Sequence, residues 1–373
     1  MTDTTLTIGM IGCGFIGKVH SFAYLNLPMY YDPPPANIRL KAVCTAHRET
    51  AEAAAERFGY EVATTDYREI TEDPEIDVVN ICTPNREHKG QLLAAIRSGK
   101  HIYCDKPLTA NADEAGQVLA QLDGYDGTHQ VTFHNRFFPA TLKARDLAAN
   151  GFLGRVLTFR AAYLHAGSVD PDRAFGWRFS KGISGGGALY DLGSHIIDLV
   201  RHLVGEFAEV SCSTTIAYPD RPAPGDPSKR IVVDADDAAF MLVRTVSGSL
   251  GSIESSRLSS GTQDELRFEI HGNKGAMRFN LMAPNWLDIC DLTSGRSGWT
   301  RLPTVQNYPN SGGFLPGKAS IGWVRAHIAC LHNFVASAVR GEPAEPGIEV
   351  GARIQQIMDA GYRSAESGSW VTV

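Results

Sequence analysis

The chain has 373 residues, of which 43% are apolar and 20% are charged. At about 150 residues per domain, this length and apolar content predict two domains with sizeable cores and argue against a globally disordered chain. The net charge is −6 at neutral pH, and no run of Lys or Arg interrupts the balance. Nucleic acid and anionic membranes are therefore not expected as the main partners.

The N-terminus and the cysteines indicate a cytoplasmic location. The first ten residues lack the cationic and long apolar segments of a secretory signal, and no run approaches the roughly 18 apolar residues of a membrane span. Seven cysteines, an odd number, include no Cys-x-x-Cys pair and lie mostly in apolar runs. We therefore expect reduced, buried thiols, with neither disulfides nor a metal site.

Short apolar runs alternate with helical patterns in the first third of the chain. The predicted strands are Leu6–Ile11, Ile38–Cys44, Tyr60–Thr64, Asp77–Cys82, His101–Cys104 and Thr128–Phe133. The predicted helices, which repeat apolar residues every 3.6 positions, are Phe15–Asn26, Glu49–Phe58, His88–Ser98 and Asn111–Leu122. This α/β alternation predicts a doubly wound parallel sheet, a Rossmann domain over residues 1–135.

After residue 135 the strands follow one another through turn signals. The predicted strands are Arg155–His165, Phe207–Tyr218, Ile231–Val246, Ser249–Leu258, Leu266–His271, Ala276–Asn280 and Leu287–Asp291. The predicted helices are Gly187–Val204, Ile321–Arg340 and Gly347–Ser367, and the predicted loops are Pro28–Ala36, Tyr218–Ser228 and Pro303–Lys318. Residues 136–373 should form an α+β domain with an open, mostly antiparallel sheet, whose last helices are available to pack back on the first domain. The uncovered apolar face of that sheet favours self-association.

The turn after the first strand reads Gly12-Cys13-Gly14-Phe15-Ile16-Gly17 and fits Gly-x-Gly-x-x-Gly. Between a strand and a helix, Gly12 permits the tight turn, Gly14 lets the backbone approach a pyrophosphate and Gly17 allows close packing. The helix N-terminus offers N–H groups to the phosphates. The turn, Phe15 and Ile16 included, is predicted to bind a dinucleotide; the alternative is a plain strand–helix turn.

The end of the second strand lacks the acidic residue that usually binds the ribose 2′-hydroxyl of NAD. Thr45 stands there, followed by His47 and Arg48. A hydroxyl and two cationic side chains suit a 2′-phosphate, so the sequence favours NADP(H) over NAD(H). The alternative for Arg48 is an ordinary surface residue in the first turn of a helix.

Polar residues also follow the fourth, fifth and sixth strands, where ligands of open parallel sheets bind. Lys106 precedes a proline and is therefore held extended, which lets its ammonium project into a site; the alternative is a surface lysine. His88 stands one helical turn beyond the fourth strand, where it contacts the cofactor or braces its helix. The predicted cofactor contacts here are Thr83, Pro84, Asn85, His88, Asp105, Lys106 and Asn135.

Together these motifs resemble the Gfo/Idh/MocA family of NAD(P)-dependent oxidoreductases. The likeness is carried by Gly12–Gly17, Thr83-Pro84-Asn85, Asp105-Lys106-Pro107 (the family usually has Glu-Lys-Pro) and the stretch Gly185–His195. It spans essentially the whole chain in the right order. Trp177-Arg178-Phe179 resembles the sugar 3-dehydrogenase members, including levoglucosan dehydrogenases. Thr45 departs from the NAD-preferring members.

Asp191 and His195 are four residues apart in a predicted helix, so both project from one face. A carboxylate beside an imidazole suits a general acid/base near neutral pH. The alternatives are a helix-surface pair and a metal site, which would lack further ligands at suitable spacing. The preceding Gly185–Gly187 run is expected to permit close approach of cofactor or sugar.

By resemblance, the catalytic set is Lys106, Asp191 and His195. Lys106 would polarise the reacting oxygen and favour the alkoxide, His195 would take the hydroxyl proton, and Asp191 would hydrogen-bond the substrate. Substrate contacts are expected from these three and from Tyr163, Trp177 and Arg178, since aromatic faces stack on sugar C–H surfaces and Arg donates to hydroxyls. The alternative for Trp177 and Arg178 is a core tryptophan beside a surface arginine.

The resemblance implies reversible hydride transfer between nicotinamide and a secondary hydroxyl of a sugar, anhydrosugar, glycoside or cyclitol. The expected members are levoglucosan or glucoside 3-dehydrogenases and inositol dehydrogenases, as homodimers or homotetramers. Two alternatives stay open: an NADPH-dependent reductase of a keto-sugar, similar to an anhydrofructose reductase, and a non-catalytic dinucleotide sensor.

Overall fold

The computed structural model describes residues 4–295, 298–305 and 320–373. Within them the chain forms two compact units. The first unit comprises the described residues up to Phe137 and those from 320 to Arg353. The second comprises those from Phe138 to 305 and from Ile354 to Val373.

The strands and helices of the described residues are as follows. The strands are β1 (Thr5–Ile11), β2 (Asn37–Cys44), β3 (Val62–Thr64), β4 (Val78–Ile81), β5 (His101–Cys104), β6 (His129–Val131), β7 (Val156–Leu164), β8 (Phe207–Thr215), β9 (Asp220–Ala223), β10 (Asp226–Val232), β11 (Ala238–Thr245), β12 (Leu250–Ser256), β13 (Glu265–Gly272), β14 (Gly275–Asn280), β15 (Trp286–Asp291), β16 (Thr300–Pro303) and β17 (Val371–Thr372). The α-helices are α1 (Phe15–Tyr30), α2 (Arg48–Phe58), α3 (Arg68–Thr71), α4 (Asn85–Arg97), α5 (Ala112–Leu119), α6 (Pro139–Ala149), α7 (Lys181–Ser184), α8 (Ser194–Val204), α9 (Trp323–Arg340) and α10 (Ile348–Ser367).

The sheet of the first unit is parallel, with the order β3-β2-β1-β4-β5-β6 among the described strands. The order reverses between β1 and β4, so the carboxyl ends of these two strands lie side by side at the edge where doubly wound folds bind ligands. Helix α9, although late in the chain, packs against α1, and its Leu331 and Phe334 share a core with Ile8 and Tyr24. The predicted α/β fold class of this part is confirmed.

Helix α1 is longer than the sequence predicts. The prediction ends it at Asn26 and begins a loop at Pro28, but Pro28 lies inside the last turn. Proline removes one N–H donor from a helix, yet Tyr24 and Leu27 are fully buried. Burial of this face therefore outweighs the missing hydrogen bond.

The second unit carries a mixed sheet, with the order β16-β15-β14-β13-β7-β12-β11-β8-β17 among its described strands. Its pairings are antiparallel except β7 with β12, which is parallel. Helix α8 packs on β7, β12 and β13. Phe240 and Leu242 on β11 are exposed on the sheet's other face. The predicted open, mostly antiparallel sheet is thus confirmed.

Several predicted boundaries in this unit are wrong. The single strand expected over Ile231–Val246 is two strands, and the loop expected over Tyr218–Ser228 holds β9 and the start of β10, which form a separate ribbon. The break at 233–237 has a physical cause, because the carboxylates of Asp236 and Asp237 are buried and accept hydrogen bonds from elsewhere in the unit.

Other elements were also missed or misplaced. Helices α3, α6 and α7 and strands β16 and β17 were not predicted. The helix expected over Gly187–Val204 begins with a π-helical turn, Leu189–Gly193, before α8. Of the loop expected over Pro303–Lys318, residues 306–318 lie outside the described residues. The helices of the described part include none with the length and apolarity that a membrane span requires.

Candidate functional site

Two glycines of the turn after β1 are required by the protein's own packing. Gly12 has φ +88°, and a Cβ there would lie 2.6 Å from the carbonyl oxygen of Cys82. A Cβ at Gly17 would lie 2.2 Å from the carbonyl oxygen of Gly12. The turn therefore holds β1, the start of α1 and the end of β4 in close contact.

Gly14 differs from these two, because a Cβ built there meets no atom within 4 Å. Gly14 is the N-cap of α1 and has no side chain with which to cap the helix. The first turn of α1 contains no acidic residue. Phe15 beside it is 74% exposed, and Ile16 is half-buried. Open space at the start of a helix suits an anionic group that approaches the backbone, so these residues fit the pyrophosphate of a dinucleotide.

The loop after β2 is held by its own hydroxyl groups. Thr45 and Thr50 both donate to the carbonyl oxygen of His47, each at 2.8 Å. Arg48 pairs with Glu52 through Nε at 2.7 Å, and both side chains are exposed. Because exposed ion pairs contribute only about 0–1 kcal/mol, this guanidinium is able to leave Glu52 for a phosphate.

The ends of β4 and β5 are joined by a buried histidine. His88 Nε2 lies 2.9 Å from the carbonyl oxygen of Thr83, and Nδ1 lies 3.0 Å from that of Pro107. The side chain is fully buried, and burial lowers its pKa. His88 thus braces these two loops, one of the two roles that the sequence leaves open, and its contact with a cofactor stays a prediction. Thr83 donates through Oγ1 to Gln91 at 2.8 Å, and Asn85 is the buried first residue of α4.

Lys106 follows β5 in the first unit and is half-buried, with Asp105 before it. The backbone N–H of Asp105 donates to the carbonyl oxygen of Ile81 at 2.8 Å, which fixes the start of this loop against β4. Burial lowers the pKa of His327 well below its usual value. The charges of two neighbouring histidines lower it further, and the charge of Lys106 does so as well, with the smallest effect. Asn135, predicted to reach the cofactor, is buried in the short 3₁₀ helix after β6.

Asp191 is the centre of a polar cluster in the second unit. Its Oδ2 lies 2.9 Å from Nη2 of Arg257 and 3.4 Å from Nε of Arg178. The side chain of Arg257 is only 4% exposed, whereas that of Arg178 is 49% exposed and lies over the ring of Trp177. One buried and one accessible guanidinium therefore flank this carboxylate.

His195 and Tyr163 lie close together in the same unit. His195 is a buried residue of the first turn of α8, and its ring centroid is 5.7 Å from that of Tyr163. The Tyr163 hydroxyl donates to Asp264 at 2.7 Å. Burial raises the pKa of Tyr163 well above its usual value, and the negative charges of Asp264 and Asp191 act in the same direction. The structure thus brings together five residues of the second unit, Tyr163, Trp177, Arg178, Asp191 and His195. Their contact with a substrate stays a prediction.

The Gly185–Gly187 run precedes this cluster. The sequence predicts that it lets cofactor or sugar approach closely, whereas in the structure parts of the protein itself lie against it. A Cβ at Gly187 would lie 1.9 Å from the carbonyl oxygen of Asp236, and one at Gly186 would collide with the hydroxyl of Tyr362. The Asp236 carboxylate accepts from the backbone N–H of Gly187 at 2.9 Å and of Leu189 at 3.0 Å. A buried acid therefore caps the segment that carries Asp191, and the close approach is made by the protein itself.

Sequence reasoning missed Arg257 and Asp236. Arg257 is 66 positions from Asp191 in the chain, so no local spacing connects them. Their residue types could have indicated them, because a charged residue inside an apolar strand is rarely buried unless it is paired. Arg257 stood inside a predicted strand of small and apolar residues, and Asp236 inside another.

Two family models match separate parts of the chain. Residues 6–133 match the model of an oxidoreductase family with an NAD-binding Rossmann fold. Residues 141–278 match the model of the GFO/IDH/MocA C-terminal domain.

Characterised relatives match over nearly the whole length. Levoglucosan dehydrogenase of Pseudarthrobacter phenanthrenivorans is 36% identical over 382 residues, covering 99% of this chain and 98% of that protein. Inositol 2-dehydrogenase of Rhizobium meliloti is 28% identical and covers 99% of both chains. The solved structure of levoglucosan dehydrogenase in complex with NADH and levoglucosan matches with a TM-score of 0.95 and 36% identity over 99% of both chains.

Proposed function

Because this chain belongs to the Gfo/Idh/MocA family of NAD(P)-dependent oxidoreductases, we propose that it transfers hydride reversibly between a nicotinamide dinucleotide and a secondary hydroxyl of a sugar, anhydrosugar, glycoside or cyclitol. Membership confirms the family predicted from the motifs. Full-length relatives named for levoglucosan, inositol and D-glucoside support this substrate class. The observation that carries the proposal is the cluster of Asp191, His195 and two guanidinium groups in the second unit.

Lys106, Asp191 and His195 are proposed as the catalytic residues. The bound nicotinamide supplies or accepts the hydride at its C4 atom. The Lys106 ammonium donates to the reacting oxygen and stabilises the developing alkoxide. His195 takes the hydroxyl proton in oxidation and returns it in reduction. Asp191, held between Arg257 and Arg178, accepts a hydrogen bond from a neighbouring substrate hydroxyl.

The proposed cofactor contacts lie in the first unit. The turn after β1 would hold the pyrophosphate, through Gly12, Gly14, Phe15, Ile16 and Gly17. Further proposed contacts follow β4, β5 and β6, and they are Thr83, Pro84, Asn85, His88, Asp105, Lys106 and Asn135. A panel of neutral sugars and cyclitols, tested with NAD+ and NADP+ separately and followed by absorbance of the reduced nicotinamide, tests the function. Absence of turnover across the panel, in protein that binds the dinucleotide, would favour a sensor instead.

A preference for NADP(H) is proposed from the loop after β2. Thr45 replaces the usual acidic residue, and Arg48 is held only by an exposed pair. We expect Arg48→Gln to weaken NADPH binding more than NADH binding, and Thr45→Asp to shift preference toward NAD+. Arg57→Gln, at the other end of the same helix, is the matched control. Equal effects of Arg48→Gln on both cofactors would contradict this preference.

A second copy of the chain is the proposed partner of the open sheet face. Phe240, Leu242 and Trp286 are exposed there. Arginines and carboxylates both line the same groove, so the surface offers both charges for pairing with a second copy across a two-fold axis. We expect a homodimer or homotetramer, which Leu242→Glu should dissociate in sedimentation velocity, whereas Glu69→Gln on the first unit should not. The seven free cysteines suit the proposed cytoplasmic location.

A further inference from the structure

A group of four arginines surrounds the candidate substrate side of the second unit. Arg257 and Arg178 flank Asp191, as described above. Arg221 is fully buried between the rings of Phe179 and Tyr218, each 4.8 Å from its guanidinium. Arg173 lies over the same Phe179 ring at 5.6 Å. We call these four residues the arginine cluster.

The cluster is fixed by hydrogen bonds to one loop. Arg221 donates through Nη2 to the carbonyl oxygen of Ser168 at 2.8 Å and through Nη1 to that of Asp170. Arg173 donates to the carbonyl oxygen of Gly167. The backbone N–H of Ser168 in turn donates to the carbonyl oxygen of Arg257 at 2.9 Å. The guanidinium groups of Arg221 and Arg173 are therefore held against this loop by the protein itself.

The charges within the cluster are not balanced. Within the described residues, Asp191 is the one carboxylate at ion-pair distance from any of the four guanidiniums. Burial lowers the pKa of Arg173, the charges of Arg257, Arg221 and Arg178 lower it further, and Asp191 opposes them. The cluster thus concentrates positive charge in a chain whose net charge is −6.

Neutral hydroxyl groups alone do not account for this excess. A sugar hydroxyl needs donors and acceptors, which one Arg–Asp pair already supplies. Backbone carbonyls and aromatic rings stabilise the individual guanidiniums, but the like charges still repel one another, and an anion between them would relieve that repulsion. Carboxylate and phosphate oxygens match the forked donors of arginine. Arg173 and Arg178 are the accessible members, whereas Arg221 and Arg257 are buried.

We propose that the arginine cluster binds an oxyanion on the substrate, so that the natural substrate is a sugar or cyclitol bearing a carboxylate or a phosphate. This inference rests on the proposed dehydrogenase function and specifies its substrate class. Arg173 and Arg178 contact the anion, and the buried pair supports them. His195 remains available for the hydroxyl that is oxidised, and Asp191 for the neighbouring hydroxyl.

The test compares methyl glucoside with methyl glucuronide and with the 6-phosphate of the glucoside, using the cofactor that the enzyme prefers. We expect kcat/KM for one anionic sugar to exceed that for the neutral one by about tenfold or more at low salt. That advantage should shrink as ionic strength rises, because exposed charges are screened over about 10 Å at 0.1 M salt. Preference for the glucuronide indicates a carboxylate, and preference for the 6-phosphate indicates a phosphate.

Variants separate recognition from general damage. Arg173→Gln and Arg178→Gln should each lower the anionic-to-neutral ratio of kcat/KM at least about threefold. Arg68→Gln, an exposed arginine of the first unit, should leave the ratio unchanged. Calorimetric binding of glucuronate, glucose 6-phosphate and glucose gives a readout that does not require turnover.

Three results would overturn the inference, and the first two leave the proposed function standing. Turnover of neutral sugars without an anionic advantage would leave the dehydrogenase standing and refute the oxyanion site. So would a ratio that Arg173→Gln and Arg178→Gln do not change. No turnover of any sugar, with glucose bound as tightly as both anions, would refute both.

Discussion

Replacing Arg257 by Met tests whether this buried guanidinium positions Asp191. The change removes the 2.9 Å hydrogen bond to Oδ2 and leaves the carboxylate with Arg178 at 3.4 Å. Breaking a buried ion pair costs about 3–5 kcal/mol. Asp191 is 22% exposed and keeps one cation, so we discount the loss to about 2–3 kcal/mol.

Two assays measure this loss. If all of the roughly 2–3 kcal/mol is lost from the stabilisation of the transition state, kcat/KM decreases about 30- to 150-fold, since about 1.4 kcal/mol corresponds to tenfold. The free energy of unfolding from urea denaturation should fall by a similar amount or less. Lys229→Met, an exposed change elsewhere in the second unit, should alter neither quantity by more than about 0.5 kcal/mol.

A double-mutant cycle decides whether Arg257 acts through Asp191. In the Asp191→Asn background, Arg257→Met should cost less than about threefold, because the charge that it orients is gone. An undiminished effect of Arg257→Met in that background would refute the positioning role. It would assign Arg257 to the support of the unit as a whole.

Two further predictions follow from the first unit. Gly14→Ala should weaken dinucleotide binding with little loss of stability, because its Cβ meets no protein atom. Gly17→Ala should lower the free energy of unfolding, because its Cβ would lie 2.2 Å from the Gly12 carbonyl oxygen. The reverse pattern in cofactor titration and urea denaturation would contradict this. Burial lowers the pKa of His20 to about 4, so the unfolded chain binds a proton that the folded chain excludes, and stability should fall as pH drops from about 6.5 to about 4. Because His88, His327 and the half-buried His332 also have pKa values lowered by burial, His20→Gln should reduce that dependence rather than abolish it, measured by urea denaturation at each pH. An unchanged dependence in His20→Gln would contradict the assignment to His20.

The first sheet could be predicted because its determinants are local. Each strand is a short apolar run before a helical repeat, and the turn at Gly12–Gly17 fixes where the first helix starts. The end of α1 could not be predicted from Pro28, since the burial of Tyr24 and Leu27 depends on α9, some 300 residues later. The same reason explains why α6 and the π-helical turn were missed.

Residue types in the site were predictable, and their partners were not. Asp191 and His195 were found through their spacing and the family motifs. Arg257 and Asp236 are joined to that segment only by tertiary contacts, which no pattern of one or two turns contains. The Gly185–Gly187 run shows the limit, because a glycine signals close approach without saying what approaches.

The central claim is that Lys106 and His195 carry out chemistry on a secondary hydroxyl. Single-turnover rates of Lys106→Met and His195→Asn, measured beside the Kd for NADH or NADPH from fluorescence titration, test it directly. We expect each variant to transfer hydride about 10²–10⁴-fold more slowly. Both should still bind the dinucleotide, His195→Asn within about threefold of the unchanged protein and Lys106→Met more weakly, because Lys106 is also a proposed cofactor contact. Hydride transfer at an undiminished rate in both variants would contradict this claim.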